Sequence, residues 1–339
     1  MAEKEWKHQL TEILDKLSKL EEKYSGLGQD MMSYLEGLYY SNGLTYWDYI
    51  HLDSLLGLQN PRTPFPDEVI FITYHQITEL MFKLVKLELD ALTADKGENS
   101  EYLVAGNWIK RVKRMNNYFR HLSSSFDIMV TGMDKDELRK FRMALLPASG
   151  FQSVQFRHIE LMSTTLSNLF QEGTEDDESA SLEEMYQQIY WKKGGIDLET
   201  GKKTITLEAF EEMYDESLLR FITKYQSRNL AYLFHLASQE IKESEEIRQL
   251  LRDFDQYVNV YWKLSHLAAA SRHLIYGENK VEGTGGTNWR QFLPPKHQKV
   301  IFFPSLWSEE EKADWGKAAV LQHFQQAVAK EWMKAGKTE

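Results

Sequence analysis

Apolar residues recur at helical spacing along most of this chain. Residues 3–25 place an apolar stripe, from Ile13 to Tyr24, among many lysines and glutamates, which is typical of an amphipathic helix. The loop at residues 60–66 holds three prolines and excludes a helix, whereas the acidic start of residues 67–92 suits the positive end of one. The pattern therefore predicts two long helices in this part of the chain.

Further segments with helical periodicity follow, and we find neither a convincing strand alternation nor an internal repeat. The other long helices are predicted at residues 101–130, 135–145, 153–171, 207–224, 226–243, 247–275 and 308–334. We therefore predict an all-α fold with a single large helical-bundle domain at residues 41–339. Residues 1–40 are predicted to form an N-terminal helical extension that covers its own domain or packs between subunits.

Composition narrows the classes of function. With 339 residues, 42% of them hydrophobic, the chain can bury a substantial core. A net charge of −11 disfavours nucleic acid as a partner, and we interpret the basic run from Lys110 to Arg120 as a solvated helix face. The absence of cysteine excludes disulfides and thiolate ligands to a metal or haem. No signal peptide or apolar run of about 20 residues is found, so we predict a cytoplasmic protein without membrane association.

Two histidines lie in helical segments with unusual neighbours. His75 follows Phe71 among apolar and aromatic residues, and it is either a core histidine or a group that hydrogen-bonds a substrate N–H or a bound oxygen species. His266 shares a helical face with Trp262 and two alanines, whose small side chains would let a flat macrocycle approach an axial histidine ligand. His273 lies on the same face as a competing candidate, and the pattern does not choose between the two.

An arginine and a glycine-rich segment complete the candidate residues. Arg157 ends an uncharged run, residues 148–156, and is either the partner of an acid such as Glu160 or a bidentate clamp for a substrate carboxylate. The segment at residues 283–287 lacks the lysine of a phosphate-binding loop. It is therefore either a surface turn or a backbone that folds over a ligand, with Thr284 as a polar contact.

Taken together, these motifs resemble the tryptophan 2,3-dioxygenase family. The matching segments are residues 46–53, 67–68, 71–80, 88–89, 147–160, 262–266 with Arg272, 283–286 and 303–307. They occur in the order typical of that family and extend over residues 44–310. Their combination is far more specific than any one of them.

The resemblance implies an all-α enzyme that contains haem b (heme b) with its iron and opens the indole ring of L-tryptophan with O2. The implied product is N-formyl-L-kynurenine, in the first step of tryptophan catabolism by the kynurenine pathway, and the implied assembly is a homotetramer, a dimer of dimers. His266 would bind the iron, which decides against His273, and His75 would hydrogen-bond the indole N–H as the catalytic residue. The resemblance assigns substrate contacts to Phe71, Tyr46, Tyr49, Arg157 and Thr284, with the tyrosines offered by a neighbouring subunit, and cofactor contacts to Gly285 and Gly286.

Two other functions remain open at this point. A related haem enzyme could oxidise another aromatic amino acid or a substituted indole, with its selectivity set by the segment after Thr284. A non-catalytic haem or gas-sensing protein would bind haem without turnover, but it gives no reason for an arginine clamp and a distal histidine together.

Overall fold

The chain forms helices joined by short turns, and the computed structural model describes residues 2–145, 148–174, 179–197, 200–276, 279–280 and 299–321. Within these ranges the strands are the two-residue segments Ile275–Tyr276 and Asn279–Lys280, which pair antiparallel with Ile275 opposite Lys280. The predicted all-α class is confirmed. Backbone contacts divide the chain into two compact units, residues 1–59 and 60–339. The predicted domains, residues 1–40 and 41–339, stay a prediction.

Unit 1 contains four helices. They are α1 (Ala2–Gly26), α2 (Met31–Tyr40), α3 (Tyr46–Tyr49) and α4 (Leu52–Leu56). Helix α1 confirms the predicted amphipathic helix, and the stacked rings of Tyr24 and Tyr34, 4.6 Å apart, join it to α2. Asp30 begins α2 by accepting hydrogen bonds from the backbone N–H groups of Met32 and Ser33.

Several helices of unit 2 have both ends within the described residues. They are α5 (Asp67–Thr93), α6 (Ala105–Ser125), α7 (Asp127–Thr131), α8 (Lys135–Phe141), α9 (Val154–Ser163), α10 (Leu182–Gln187), α11 (Tyr190–Gly194), α12 (Ile205–Tyr225), α13 (Leu230–Leu236), α14 (Gln239–Glu243), α15 (Glu245–Gln256), α16 (Trp262–Leu274) and α17 (Glu309–Ala313). Short 3-10 turns lie at Glu101–Leu103, Arg142–Leu145, Gly150–Gln152, Leu166–Leu169 and Pro304–Leu306. None of the helices in these ranges combines the length and the apolar character needed to span a bilayer.

The core of unit 2 lies where α5 packs against α6 and α9 and where α6 packs against α15. Leu89 of α5, Phe119 of α6, Ile159 of α9 and Phe254 of α15 are fully buried there. The exposed basic residues of α6 face away from this core, although Arg111 pairs with Glu88 at 2.6 Å. The run from Lys110 to Arg120 is thus mainly a solvated helix face.

Helix α5 begins where the sequence predicts, and Glu68 stabilises its start. This buried carboxylate accepts hydrogen bonds from the backbone N–H groups of Arg62, at 2.7 Å, and Thr63, at 2.8 Å. These hydrogen bonds hold the proline-containing loop against the first turn of α5. The rigid start of the helix fixes the positions of Phe71 and His75 further along it.

The predicted helix at residues 247–275 is interrupted by a π-helical segment, Tyr257–Tyr261, between α15 and α16. A π turn inserts one residue into the helical register and rotates the side chains that follow it. Asn259 and Val260 are buried within it. The interruption therefore sets the direction in which the side chains of α16 point.

Candidate functional site

His75 lies on α5, one turn after Phe71, and its ring is partly buried. Its Nδ1 is 2.7 Å from the Phe71 carbonyl oxygen, which only accepts hydrogen bonds, so Nδ1 carries the proton. Burial lowers the pKa of His75, although the Phe71 carbonyl and the charge of Glu79 act in the opposite direction. The ring is therefore neutral near pH 7, and its Nε2 is left as a hydrogen-bond acceptor.

His266 lies on α16, partly buried, with Leu267 and Ala268 after it. Its ring packs against the rings of Phe126 and Trp262, and neither of its nitrogens has a hydrogen-bond partner among the described residues. Burial, and then the nearby His75, lower the pKa of His266 to about 4. His266 is thus a neutral imidazole, and a neutral imidazole is the form that binds a metal ion.

Helices α5 and α16 and the turn before α9 converge at these two histidines. His75 lies close enough to His266 to lower its pKa. A Cβ atom added to Gly150 would lie 4.0 Å from Cε1 of His266, so the turn before α9 passes close to that ring. The ring of Phe126 lies 5.5 Å from those of both His266 and Tyr74, the residue before His75. The two histidines therefore belong to one aromatic-lined region.

His273 has different surroundings. It is buried, and its Nε2 donates a hydrogen bond to the Met129 carbonyl oxygen. Burial lowers the pKa of His273, and its charged neighbours include Lys135 and Asp134 rather than His75. This environment favours a structural role for His273 and leaves His266 as the better candidate for a ligand.

Arg157 lies on α9 with only 6% of its surface exposed. Its Nη1 donates to the Glu160 carboxylate at 2.9 Å and to the Tyr190 hydroxyl at 3.3 Å, and its Nη2 donates to the Phe151 carbonyl oxygen at 3.1 Å. The ion pair that the sequence offers as the structural alternative is therefore present. The buried Nε, however, has no hydrogen-bond partner among the described residues, so the guanidinium keeps an unused donor.

No motif in the sequence points to Lys263, which the structure brings to the cluster around Arg157. Lys263 lies on α16 one turn before His266, is 5% exposed, and has its Nζ 4.9 Å from the centre of the Tyr190 ring. Its signal in the sequence is a charged residue in an otherwise apolar run. That signal is weak, because lysines in helices are usually solvated.

The other predicted site residues lie in three places. Phe71 is partly buried and packs on His75, with 4.1 Å between ring centres. Tyr46 and Tyr49 lie on α3 of unit 1, where they are 69% and 72% exposed. Thr284, Gly285 and Gly286 lie outside the described residues.

No group of three or more histidine, cysteine, aspartate or glutamate side chains within the described part of the chain could hold a metal ion. His266 is a neutral imidazole whose nitrogens have no hydrogen-bond partner among the described residues, and such a group can supply one ligand to the iron of a prosthetic group.

Comparison with known proteins identifies the family. A model of the family described as tryptophan 2,3-dioxygenase matches residues 36–170, which contain His75 and Arg157. A tryptophan 2,3-dioxygenase of Shewanella woodyi is 31% identical over 279 residues, covering 79% of this chain and 90% of that protein. The chain belongs to the tryptophan 2,3-dioxygenase family. The resemblance inferred from the motifs is confirmed.

Other relatives in the tryptophan 2,3-dioxygenase family are similar over the same extent. The Polaromonas naphthalenivorans enzyme is 27% identical over 280 residues, 79% of this chain and 91% of that protein. The Herpetosiphon aurantiacus enzyme is 28% identical over 279 residues, 79% of this chain and 98% of that protein. Membership of this family makes the protein an oxidoreductase of the dioxygenase class.

Proposed function

We propose that this protein is a haem-dependent dioxygenase that adds both atoms of O2 across the C2–C3 bond of the L-tryptophan indole ring. The product is N-formyl-L-kynurenine, the first product of the kynurenine pathway. The observation that carries the proposal is the approach of two neutral histidines, His75 and His266, to one another and to the turn before α9, where the buried Arg157 donates to the Phe151 carbonyl oxygen. Family membership supports the same chemistry.

His266 is the residue that would hold the iron of haem b. Neither of its nitrogens has a hydrogen-bond partner among the described residues, its low pKa keeps it neutral, and the backbone of Gly150 passes close to Cε1. When bound, the haem supplies an iron atom that binds and activates O2. Gly285 and Gly286 are proposed cofactor contacts from the family resemblance.

His75 would orient the indole ring. Because its Nδ1 donates to the Phe71 carbonyl, Nε2 has a lone pair that can accept the indole N–H. Phe71, packed 4.1 Å from this ring, would form an apolar wall beside the indole. This role needs no strong base, so the hydrogen bond contributes to positioning rather than to proton removal.

Arg157 would bind the carboxylate of the substrate. Three of its hydrogen bonds are made within the protein, and the unused Nε donor is available to an incoming anion. A buried arginine also rejects indoles without a carboxylate, because it would be left without that partner. Thr284 is a further proposed contact with the amino-acid end.

We also infer that the enzyme is a homotetramer, a dimer of dimers, in which residues 1–40 pack between subunits. Tyr46 and Tyr49 are exposed on α3 and would cover the substrate pocket of a neighbouring subunit. On α5, Ile77, Leu80 and Leu84 are exposed at spacings of one and two turns, as in a helix–helix interface. Both features support an assembly of several copies.

Turnover of L-tryptophan by the haem-loaded, reduced protein in air tests the proposed reaction. With isotopically labelled O2, mass spectrometry should find N-formylkynurenine that carries two labelled oxygen atoms. A product with one labelled atom would contradict a dioxygenase reaction. No product, despite a complete haem spectrum, would contradict L-tryptophan as the substrate.

A further inference from the structure

Asp255, in the last turn of α15, has a completely buried carboxylate whose two oxygens are both in use. One oxygen accepts hydrogen bonds from the Asn259 side-chain amide at 2.8 Å and from the Phe302 backbone N–H at 2.9 Å. The other accepts from the Phe303 backbone N–H and from the Trp307 indole N–H, each at 3.1 Å. One side chain therefore joins α15, the π-helical segment and a part of the chain that is distant in sequence.

That distant part, residues 300–307, is called the anchor segment, and it is fixed by other contacts as well. Thr164, at the end of α9, donates its hydroxyl to the Phe302 carbonyl oxygen at 2.6 Å. Arg252 of α15 donates to the Leu306 carbonyl oxygen at 2.6 Å. Six of the eight residues of the anchor segment are buried. The N–H groups that it offers to Asp255 therefore have fixed positions in the core.

The π-helical segment lies between Asp255 and the start of α16. Its register is visible in the backbone, where the Trp262 N–H donates to the carbonyl oxygen of Tyr257, five residues earlier. Asn259 lies in the middle of the segment and is completely buried. Its Nδ2 donates to Asp255, whereas its Oδ1 has no hydrogen-bond partner among the described residues. The hydrogen bond to Asp255 therefore orients the Asn259 side chain.

The register of the π-helical segment determines where His266 points. An α-helix turns by about 100° per residue, so one inserted residue rotates the side chains of α16 by about that angle relative to α15. With the insertion, the His266 ring lies 5.5 Å from the Phe126 ring and close to Gly150. A continuous α-helix would turn the imidazole away from both by about a quarter of a circle.

Aromatic packing at the start of α16 is the alternative cause of this direction. The Trp262 ring lies 4.8 Å from the Phe126 ring and 5.7 Å from the Phe82 ring of α5. Trp262, however, follows the inserted residue, so its own direction depends on the same register. The two causes are separated by a variant of Asp255 that keeps its volume and loses its charge.

We propose that Asp255 is a positioning residue for His266. Its carboxylate holds Asn259 and the anchor segment together, which keeps the π-helical register, and this register directs His266 toward Phe126 and Gly150. The observation that carries the proposal is one buried carboxylate with four N–H donors, one of them at the centre of the π-helical segment. The proposal rests on the proposed function, because it takes His266 as the haem ligand.

The test measures the bond between His266 and the haem iron. Resonance Raman spectra of the ferrous, haem-loaded protein give the iron–histidine stretching band, and haem titration gives the dissociation constant of haem. Asp255→Asn keeps the volume but places an amide NH2 group among four N–H donors. It should shift or split the iron–histidine band and weaken haem binding by about 10-fold or more, as for other residues that orient a metal-binding histidine. The pH is kept well above the Asp255 pKa of about 6, so that the wild-type carboxylate is ionised.

Glu88→Gln is the matched control. Glu88 is 2% exposed and pairs with Arg111 at 2.6 Å and with Arg114 at 3.2 Å, so this variant also removes a buried carboxylate. Glu88 lies about 20 Å beyond His75 along α5. Glu88→Gln should therefore lose stability while its iron–histidine band stays at the wild-type position.

An unchanged iron–histidine band in Asp255→Asn would overturn the proposal and leave aromatic packing as the cause of the direction of His266. An equal shift of the band in Glu88→Gln would overturn it too, because any loss of stability would then move His266. If Asp255→Asn does not fold, Asn259→Leu removes the amide donor with a side chain of similar shape and must shift the band.

The wild type and His266→Ala separate this proposal from the proposed function. A wild-type iron–histidine band that is lost in His266→Ala confirms the ligand, and an unchanged band in Asp255→Asn then contradicts the role of Asp255 alone. If the wild type has no such band, or His266→Ala keeps it, the proposed haem ligand is wrong and this proposal is wrong with it.

Discussion

Replacing Glu160 by glutamine removes the one carboxylate that directly pairs with Arg157. The side chain is completely buried, and it accepts hydrogen bonds from both Arg157 and Tyr190. Glutamine has nearly the same shape, so Glu160→Gln changes charge and hydrogen bonding but little packing. The variant therefore leaves Arg157 and Lys263 as two buried cations without that anion.

The expected loss is large because both cations are buried. Burial lowers the pKa of Arg157, but Glu160 and Tyr190 together more than offset this and leave the pKa above its ordinary value. Removing one partner of a buried ion pair costs about 3–5 kcal/mol, against a total stability of about 5–15 kcal/mol. Glu160→Gln should therefore lose a substantial fraction of the free energy of unfolding.

Urea unfolding of the wild type, Glu160→Gln and a matched surface variant measures this loss. Glu309→Gln is the control, because Glu309 pairs with Lys312 at 2.7 Å while 90% of its side chain is exposed. The control should be nearly as stable as the wild type. A loss for Glu160→Gln no larger than that of the control would refute the electrostatic reasoning.

A double variant tests whether the charge of Lys263 interacts with that of Glu160. Adding Lys263→Met to Glu160→Gln removes one of the two unpaired cations. The double variant should therefore be less destabilised than the sum of the two single variants, with a coupling of about 1 kcal/mol or more. Strictly additive losses would show that Lys263 does not interact with Glu160.

Two further predictions concern the haem ligand and a buried acid. His266→Ala should no longer bind haem stoichiometrically, and its Soret band should be lost. His273→Ala should keep both. A normal Soret band in His266→Ala would refute the assignment of His266 as the haem ligand. Burial raises the pKa of Asp255 from 3.8 to about 6, so the folded state binds this proton more tightly than the unfolded state. The protonated Asp255 therefore stabilises the folded state by on the order of 3 kcal/mol below pH 4. This contribution is lost as the pH rises through 6. Urea unfolding between pH 4 and 6 should show this decline in the free energy of unfolding for the wild type and not for Asp255→Asn. Parallel plots of stability against pH for the two proteins would contradict the prediction.

Local patterns predicted three of the long helices well, namely α1, α5 and α12. The prolines before α5 and the acidic residues at its start indicated a helix from Asp67 to about Leu92, and α5 is Asp67–Thr93. Each of these signals acts within one or two turns of the chain, so the sequence carries it directly. The predicted helix at residues 101–130 was less accurate, because the chain breaks it into a 3-10 turn, α6 and α7.

The π segment Tyr257–Tyr261 shows a limit of periodicity. Residues 247–275 keep a helical apolar pattern throughout, so the pattern predicts one continuous helix. Asn259 is buried within this segment, and its Nδ2 donates a hydrogen bond to Asp255 at 2.8 Å. Tertiary packing, rather than propensity, therefore decided the direction of His266 and Lys263.

The sequence by itself determined the helical class, the family and the candidate histidines, because these follow from local periodicity and from motifs of contiguous residues. The tertiary structure added a physical difference between His266, whose nitrogens have no hydrogen-bond partner among the described residues, and His273, whose Nε2 donates to Met129. The tertiary structure also showed that Nζ of Lys263 has no hydrogen-bond partner within the part of the chain that the structure describes. The physical reason is that charge balance in an interior depends on side chains from distant helices, and no local pattern records which of them meet.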